Sequence, residues 1–248
     1  MTDEETLRKL NEMRLHAMSA TLQKILADSP GNQLSFSEKV AMMVDGEWIA
    51  RENRRLDRLL RAAKLGINAC LEDVKCDAAR GIDKAVIRAL ASGQWIRHKQ
   101  NIVVVGQTGV GKSYLGSALA QSACRNGFRA LCARVPRLLH EFAIARADGS
   151  YADHLRKLAK LDVLVLDDFL IAPMTDSERR DLLEILEDRY GSSSTVLTSQ
   201  VPTKKWHEML ADPTIADAIC DRVVHNAHVL ALRGPSMRQT KGMKTDTN

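Results

Sequence analysis

The segment from Gly106 to Ser113 constrains the fold more than any other part of the sequence. It reads GQTGVGKS, which matches the pattern GxxxxGK[ST], and it follows the continuous apolar run Ile102–Val105. A buried strand, such a loop and a following helix form a P-loop, whose glycines let successive amides point at phosphate groups. The pattern predicts that Lys112 reaches the β- and γ-phosphates of a nucleotide and that the Ser113 hydroxyl binds Mg²⁺. The predicted nucleotide-binding residues are Gly106, Gln107, Thr108, Gly109, Val110, Gly111, Lys112, Ser113 and Tyr114.

Three more apolar runs predict strands, near residues 131–135, at 163–166 and at 194–198. Helical patterns separate them, around 113–126, 136–147 and 176–190. Strands that alternate with helices indicate a parallel sheet that binds its ligands at the carboxyl ends of the strands. The sequence therefore predicts an α/β fold with the P-loop at one edge of the sheet.

Two acids, Asp167 and Asp168, directly follow the apolar run Val163–Leu166. Carboxylates at this edge of the sheet can complete the Mg²⁺ site of a P-loop ATPase and activate the attacking water. We expect Asp167 to hold the metal shell and Asp168 to orient or deprotonate the water. Asp168 is one methylene shorter than the glutamate that most ATPases of this type carry there.

Polar residues near two later segment ends extend the predicted site. Gln200 or Thr198, at the end of the fourth predicted strand, could contact the γ-phosphate. Arg222 lies near the end of a helix predicted to start around Pro213, next to Asp221. Arg222 either forms a surface ion pair with Asp221 or inserts as a finger into the nucleotide site of a neighbouring subunit. The second alternative makes hydrolysis depend on assembly.

The N-terminal region has a helical pattern throughout. One helix is predicted from about Glu5 to Leu26, and another from a capping box formed by Ser35 and Glu38 to about Ala63. The second half of the long helix presents one cationic face. This face is either a solvated surface or a row of contacts to the DNA backbone. Its residues are Arg51, Arg54, Arg55, Arg58 and Arg61.

Composition excludes several classes of protein. Of 248 residues, 45% are apolar, so a large core can form, and no run approaches the roughly 18 apolar residues of a membrane span. The five scattered cysteines and the charged N-terminus favour a reduced, cytoplasmic protein. The net charge of +5 is only a weak indication of nucleic acid binding. We predict a basic helical domain at 1–80, an ATPase domain at 81–234 and a polar tail at 235–248.

With these motifs in place, the chain resembles the IstB-like ATPases, the transposition helper proteins of insertion sequences. The resemblance spans nearly the whole sequence, and its most specific segments are ARENRRL at 50–56 and TSQVPTKKWHE at 198–208. It implies an AAA+ fold with a small all-α N-terminal domain, ATP and Mg²⁺ as cofactors, and a finger role for Arg222. It also implies an oligomer that assembles on double-stranded DNA and stimulates or directs a partner transposase.

The same resemblance implies a DNA-facing helix before the strand that ends in Asp167 and Asp168. It also implies a nucleotide-sensing role for Arg238. The candidate DNA contacts in that helix are Arg134, Arg137, Arg146, Arg156 and Lys157. Two features depart from the family pattern. Leu170 stands where a glycine is expected after Asp-Asp-Phe, and little sequence beyond Arg238 remains to form a helical lid.

Three other functions use the same motifs. A replicative helicase loader of the same AAA+ clade would also show DNA-stimulated hydrolysis, and a transposase reading frame beside the gene would distinguish it. A small-molecule P-loop kinase needs neither the paired acids nor Arg222. A nucleotide-gated scaffold would use hydrolysis only for disassembly, and the sequence does not separate it from a transposition helper.

Overall fold

The computed structural model describes residues 2–27 and 34–237. By its internal contacts the chain forms two compact units, Met1–Arg58 and Leu59–Asn248. Arg238 and most of the predicted tail lie outside the described residues. Within the described part, no helix is both long enough and apolar enough to cross a membrane.

The first unit is helical, with α1 (Asp3–Glu12), α2 (His16–Ala27) and most of α3 (Phe36–Ala62). The prediction of one continuous helix from residue 5 to 26 is wrong. The chain turns at Arg14, whose φ is 60°, and the Leu15 amide donates to the Leu10 carbonyl at 2.8 Å. No glycine or proline marks this turn in the sequence. The predicted capping box of α3 is confirmed, since Ser35 N donates to Glu38 Oε2 (2.7 Å) and Glu38 N to Ser35 Oγ (3.3 Å).

Glu47 ties α2 to α3. Only 5% of this residue is exposed, and its carboxylate accepts the amides of Ala17 (3.0 Å) and Met18 (3.3 Å) at the N-terminus of α2. Arg51 Nε (3.0 Å) and Arg54 Nη2 (2.9 Å) donate to its other oxygen. Burial alone would raise the pKa of Glu47, but the hydrogen bonds from Arg51, from the α2 amides and from Arg54 together lower it. Two arginines of the predicted cationic face therefore also stabilise the helical unit.

The second unit is built around a five-stranded parallel sheet with the order β2-β3-β4-β1-β5. The strands are β1 (Asn101–Gly106), β2 (Ala130–Arg134), β3 (Val163–Phe169), β4 (Ser194–Ser199) and β5 (Ala227–Leu232). The helices are α4 (Lys84–Ala91), α5 (Gln94–Arg97), α6 (Lys112–Arg125), α7 (Val135–Asp148), α8 (Tyr151–Ala159), α9 (Asp176–Arg189), α10 (Trp206–Leu210) and α11 (Pro213–Val224). The predicted parallel α/β fold is confirmed.

The strands differ in how deeply they are buried. Val103 in β1, Leu164 and Leu166 in β3, and Leu197 in β4 are fully buried in the core. The edge strand β5 was not predicted; it is mostly half-exposed or exposed, although it carries the apolar run Val229–Leu232. The chain leaves β1 toward β2 and leaves β4 toward β5. The sheet therefore has its switch point between β1 and β4, where α/β folds form a ligand-binding crevice.

Candidate functional site

The loop after β1 has the backbone conformation of a phosphate cradle. Gly106, Gly109 and Gly111 have φ values of 156°, 85° and 102°, and a Cβ on Gly106 would lie 2.5 Å from the Leu232 carbonyl oxygen. Only glycine fits such positions without strain. Helix α6 begins directly after Gly111, so its first amides and its dipole face the loop.

Lys112 and Ser113 begin α6 inside this cradle. Lys112 is 7% exposed, and its ammonium donates a hydrogen bond to the Gln107 carbonyl at 2.9 Å. The ammonium is thereby held over the loop that would surround the phosphates. Burial raises the pKa of the neighbouring Tyr114 hydroxyl above its ordinary value.

Asp167 and Asp168 lie where β3 bulges. The register between β3 and β4 shifts between Leu166 and Phe169, and Asp168 has a φ of 60°. The Thr198 hydroxyl donates to Asp167 Oδ1 and accepts the Asp168 amide at 3.3 Å. The bulge turns the two adjacent acids toward different partners.

Asp168 forms an ion pair with Arg134 at the end of β2. Arg134 donates from Nε (2.9 Å) and Nη2 (2.7 Å) to Asp168 Oδ2. The arginine side chain is 66% exposed and the aspartate side chain 17%. The predicted catalytic base and a predicted DNA contact are therefore bonded to each other, which the sequence did not indicate.

Leu170 occupies the position where the family pattern predicts glycine. Its φ is 57°, in the left-handed region that favours glycine. The residue is nevertheless buried in the core, with only 2% of it exposed. A left-handed conformation costs a non-glycine residue about 1–2 kcal/mol. Burial of a leucine side chain returns about 1.5–3 kcal/mol, so the substitution is tolerated.

A single cavity of about 950 Å³ brings the metal candidates together. Ser113 and Asp167 both line it, as does the Asp168–Arg134 pair. A hydroxyl and a carboxylate are hard oxygen donors of the kind that Mg²⁺ takes beside substrate phosphates, so these residues fit a magnesium site. The cationic side chains that also line the cavity are Lys64, Arg137 and Lys157.

The polar residues at the end of β4 reach the site in different ways. Thr108 in the loop donates to Gln200 Oε1 at 2.8 Å, so Gln200 contacts the P-loop. Thr198 is fully buried and contacts Asp167 and Asp168 instead. Of the two predicted alternatives, Gln200 is the one whose side chain touches the phosphate-binding loop.

The Arg222 backbone lies at the amino ends of the strands, opposite the ends that carry the P-loop and the paired acids. Asn101, the first residue of β1, donates to the Arg222 carbonyl at 3.0 Å, whereas the P-loop follows the last residue of the same strand. Five residue steps at about 3.3 Å separate these positions by roughly 17 Å. Arg222 pairs with Glu187 (2.7 Å), which raises the pKa of its guanidinium, while Asp221 pairs with His225 (2.9 Å). The alternative of a direct ion pair with Asp221 is therefore wrong.

The candidate DNA contacts are exposed but differ in their bonding partners. All five arginines of the α3 face are exposed. Arg137 pairs with Glu141 (3.2 Å), and Arg156 pairs with Asp153. Arg146 bonds the buried Asp181 and lies 4.3 Å from the centre of the Tyr151 ring, so it anchors α7 although its side chain is 49% exposed.

Two segments that hold the P-loop were not predicted. Arg80 Nη2 donates to the Val110 carbonyl (2.8 Å), and its own carbonyl accepts the Arg233 amide (2.9 Å). The Met237 amide donates to the Gly109 carbonyl (2.9 Å). Gly81 is the residue that marks the first segment in the sequence. Its φ is 72°, and a Cβ added there would lie 2.2 Å from the Ala231 carbonyl oxygen, so the position requires glycine.

Comparison with known proteins agrees with this geometry. The DnaI crystal structure matches with a TM-score of 0.58 at 22% identity, covering 71% of this chain and 94% of DnaI. The DnaC helicase loader matches with a TM-score of 0.56 at 18% identity, covering 69% of this chain and all of that chain. At such identities the likeness concerns the fold alone, and the predicted AAA+ P-loop fold is confirmed.

Sequence relatives are much closer. The insertion sequence ATP-binding protein y4pL of Sinorhizobium fredii (strain NBRC 101917 / NGR234) is 44% identical over 240 residues, which cover 97% of this chain and 98% of the relative. The model of the family described as "IstB-like ATP binding protein" matches residues 8–245. This chain therefore belongs to the family of IstB-like ATP binding proteins.

Proposed function

We propose that this protein is a Mg²⁺-dependent ATPase of insertion sequences that assembles on double-stranded DNA and directs or stimulates a partner transposase. One observation carries the proposal: the P-loop, the Ser113 hydroxyl and the Asp167 carboxylate meet at the carboxyl edge of the sheet. The names of the relatives add the insertion-sequence context. The cytoplasm is the compartment in which such a protein would meet its DNA.

In this proposal, the P-loop amides and Lys112 bind the β- and γ-phosphates of ATP. Ser113 and Asp167 would hold Mg²⁺, which neutralises charge that develops on the phosphates when it is bound. Gln200, held by Thr108, lies where it can respond to the end of the phosphate chain. These residues position and polarise the nucleotide, which is most of what phosphoryl transfer requires from a protein.

Asp168 is the proposed base, and its ion pair with Arg134 restrains it. Arg134 donates two hydrogen bonds to Asp168 Oδ2, so this oxygen is held toward the guanidinium and is not free to accept a hydrogen bond from the attacking water. Efficient hydrolysis then requires Arg134 to move away from Asp168. Because Arg134 is also largely exposed, a DNA phosphate can compete for the same guanidinium. Binding of DNA would thereby release the base.

Assembly follows from the position of Arg222. The Arg222 carbonyl lies at the start of β1, about 17 Å along the strand from the P-loop of its own chain, and the guanidinium bonds Glu187 and the Ala218 carbonyl. A finger role requires a neighbouring subunit whose nucleotide site receives it. The proposed oligomer therefore places each Arg222 against the γ-phosphate of an adjacent subunit, after exchange of its bond to Glu187.

Double-stranded DNA is the proposed template for assembly. The exposed arginine face of α3 and the cations around the 950 Å³ cavity can neutralise backbone phosphates without reading the sequence. The relatives' insertion-sequence names favour a transposase as the partner over a replicative helicase. The paired acids and the remote Arg222 disfavour a small-molecule kinase.

The test combines ATP hydrolysis with light scattering, with and without double-stranded DNA and Mg²⁺. We expect DNA and ATP together to increase both particle size and turnover, and EDTA to abolish turnover. The transposase encoded by the same insertion sequence should then show more strand transfer in the presence of the assembled protein. A monomer whose hydrolysis ignores DNA would leave the P-loop assignment intact and refute the transposition role.

A further inference from the structure

Thr198 occupies an unusual position opposite the paired acids. In the ladder between β3 and β4, Leu166 pairs with Leu197 and Phe169 pairs with Ser199. Asp167 and Asp168 therefore both face Thr198, two residues against one, as in a β-bulge. A bulge leaves one backbone amide without a ladder partner, and here the Thr198 side chain accepts the Asp168 amide at 3.3 Å.

The directions of the two hydrogen bonds are fixed by chemistry. A hydroxyl has one hydrogen and can accept in addition, whereas an ionised carboxylate only accepts. Because the hydroxyl receives the Asp168 amide, its own hydrogen goes to Asp167 Oδ1. Thr198 thus holds the carboxylate of one acid and the backbone of the other at the same time.

The burial of Thr198 excludes direct contact with a nucleotide. The residue is 0% exposed, and its hydroxyl is engaged by the two acids. Among the described residues, no hydrogen bond is found to the second oxygen of Asp167, Oδ2. The bond from Thr198 therefore restrains the Asp167 carboxylate through Oδ1 and leaves Oδ2 for a metal shell, in the cavity that Ser113 also lines.

We propose that Thr198 is a positioning residue that sets the affinity of the site for Mg²⁺ by orienting Asp167. This inference rests on the proposed function, because it takes Asp167 as a metal ligand. Groups that orient a ligating carboxylate typically change metal affinity by about 10–100-fold when they are removed. The role differs from a contact to the γ-phosphate, which would act through ATP itself.

The test is equilibrium binding of a fluorescent ATP analogue, with Mg²⁺ titrated from EDTA, for wild type, T198V, T198S and D167N. Valine keeps the shape of threonine and removes the hydroxyl, and T198A provides a second variant without it. Thermal unfolding confirms that each variant is folded. We expect T198V and T198A to bind the analogue normally in EDTA but to need about 10-fold more Mg²⁺ for its Mg²⁺-dependent binding. T198S, which keeps the hydroxyl, should need the same Mg²⁺ concentration as wild type.

The control variant separates two kinds of failure. If D167N raises the Mg²⁺ requirement while T198V and T198A leave it unchanged, the inference about Thr198 is wrong and the ATPase proposal stands. A requirement raised equally in T198S and T198V would also overturn the inference, since the hydroxyl would not be the cause. If wild type and D167N respond identically to Mg²⁺, Asp167 is not a metal ligand, and that part of the proposed function fails together with the inference.

Discussion

Replacement of Arg134 by alanine tests whether the ion pair with Asp168 restrains hydrolysis. Arg134 donates two hydrogen bonds to one carboxylate oxygen, but its side chain is 66% exposed. An ion pair at such exposure contributes at most about 1 kcal/mol. Since about 1.4 kcal/mol corresponds to a factor of ten, loss of the pair increases the fraction of unrestrained Asp168 by up to about fivefold. We therefore expect R134A to raise DNA-free turnover by a factor of about two to five.

The assay is steady-state ATP hydrolysis at saturating ATP, with and without double-stranded DNA. If DNA acts by withdrawing Arg134, R134A should also lose most of its stimulation by DNA. The matched control is R137A, one turn further along α7, whose side chain is 83% exposed and pairs with Glu141 on its own helix. R137A should keep the low DNA-free rate. A reduced DNA-free rate in R134A with unchanged ATP binding would refute the restraint, because Arg134 would then assist catalysis.

Four further predictions follow from the site and the helical unit. K112A should lose ATP binding and ATP-dependent assembly, and retained tight binding in a filter assay would contradict the assignment of the P-loop. R222A should keep ATP binding but lose about 10³-fold in turnover. Mixing it with D168N subunits, which keep the P-loop and Arg222, should restore some hydrolysis if the finger acts between subunits. An inactive mixture would count against that geometry. Three arginines of the α3 face do not contact Glu47, namely Arg55, Arg58 and Arg61. Their replacement should flatten the salt dependence of DNA binding by up to about 0.9 per lost phosphate contact. An unchanged slope would show that this face is a solvated surface and does not bind DNA. Because the pKa of Glu47 lies below its ordinary 4.5 in the folded unit, its stabilising effect is present above that pH and is lost as the pH falls through the folded-state pKa. Urea unfolding of wild type at pH 7 and at successively lower pH below 4.5 should show this loss, and E47Q should lose less stability over the same range. An equal loss in E47Q would contradict the assignment.

The sequence was informative where one local pattern decides the structure. The runs before Gly106 and Asp167 predicted buried strands because both faces of those strands are covered. The edge strand β5 was missed although Val229–Leu232 is apolar, because so short an apolar run does not by itself distinguish a strand from part of a helix. The turn at Arg14 depends on a left-handed backbone in a residue that does not favour it, and no glycine or proline marks it in the sequence.

Contacts between distant residues were beyond prediction from a single sequence. Arg134 and Asp168 are 34 residues apart, and their pairing depends on the adjacency of β2 and β3. The expectation of glycine at Leu170 was physically sound, since the backbone there is left-handed, but the buried side chain offsets the strain. The bulge that places Thr198 opposite two acids likewise depends on strand register, which spacing alone does not give.

The hydrogen bonds that Arg80 and Met237 make to the P-loop bear on how the ATPase unit can be isolated. A fragment cut at the predicted boundaries, residues 81–234, would contain every strand of the sheet. It would lack the guanidinium that bonds the Val110 carbonyl and the amide that bonds the Gly109 carbonyl. Such a fragment could fold and still hold its nucleotide loop loosely, so weak ATP binding by it would reflect the positions of the cuts. A fragment that begins before the turn at Asp77 and ends after Met237 keeps both bonds.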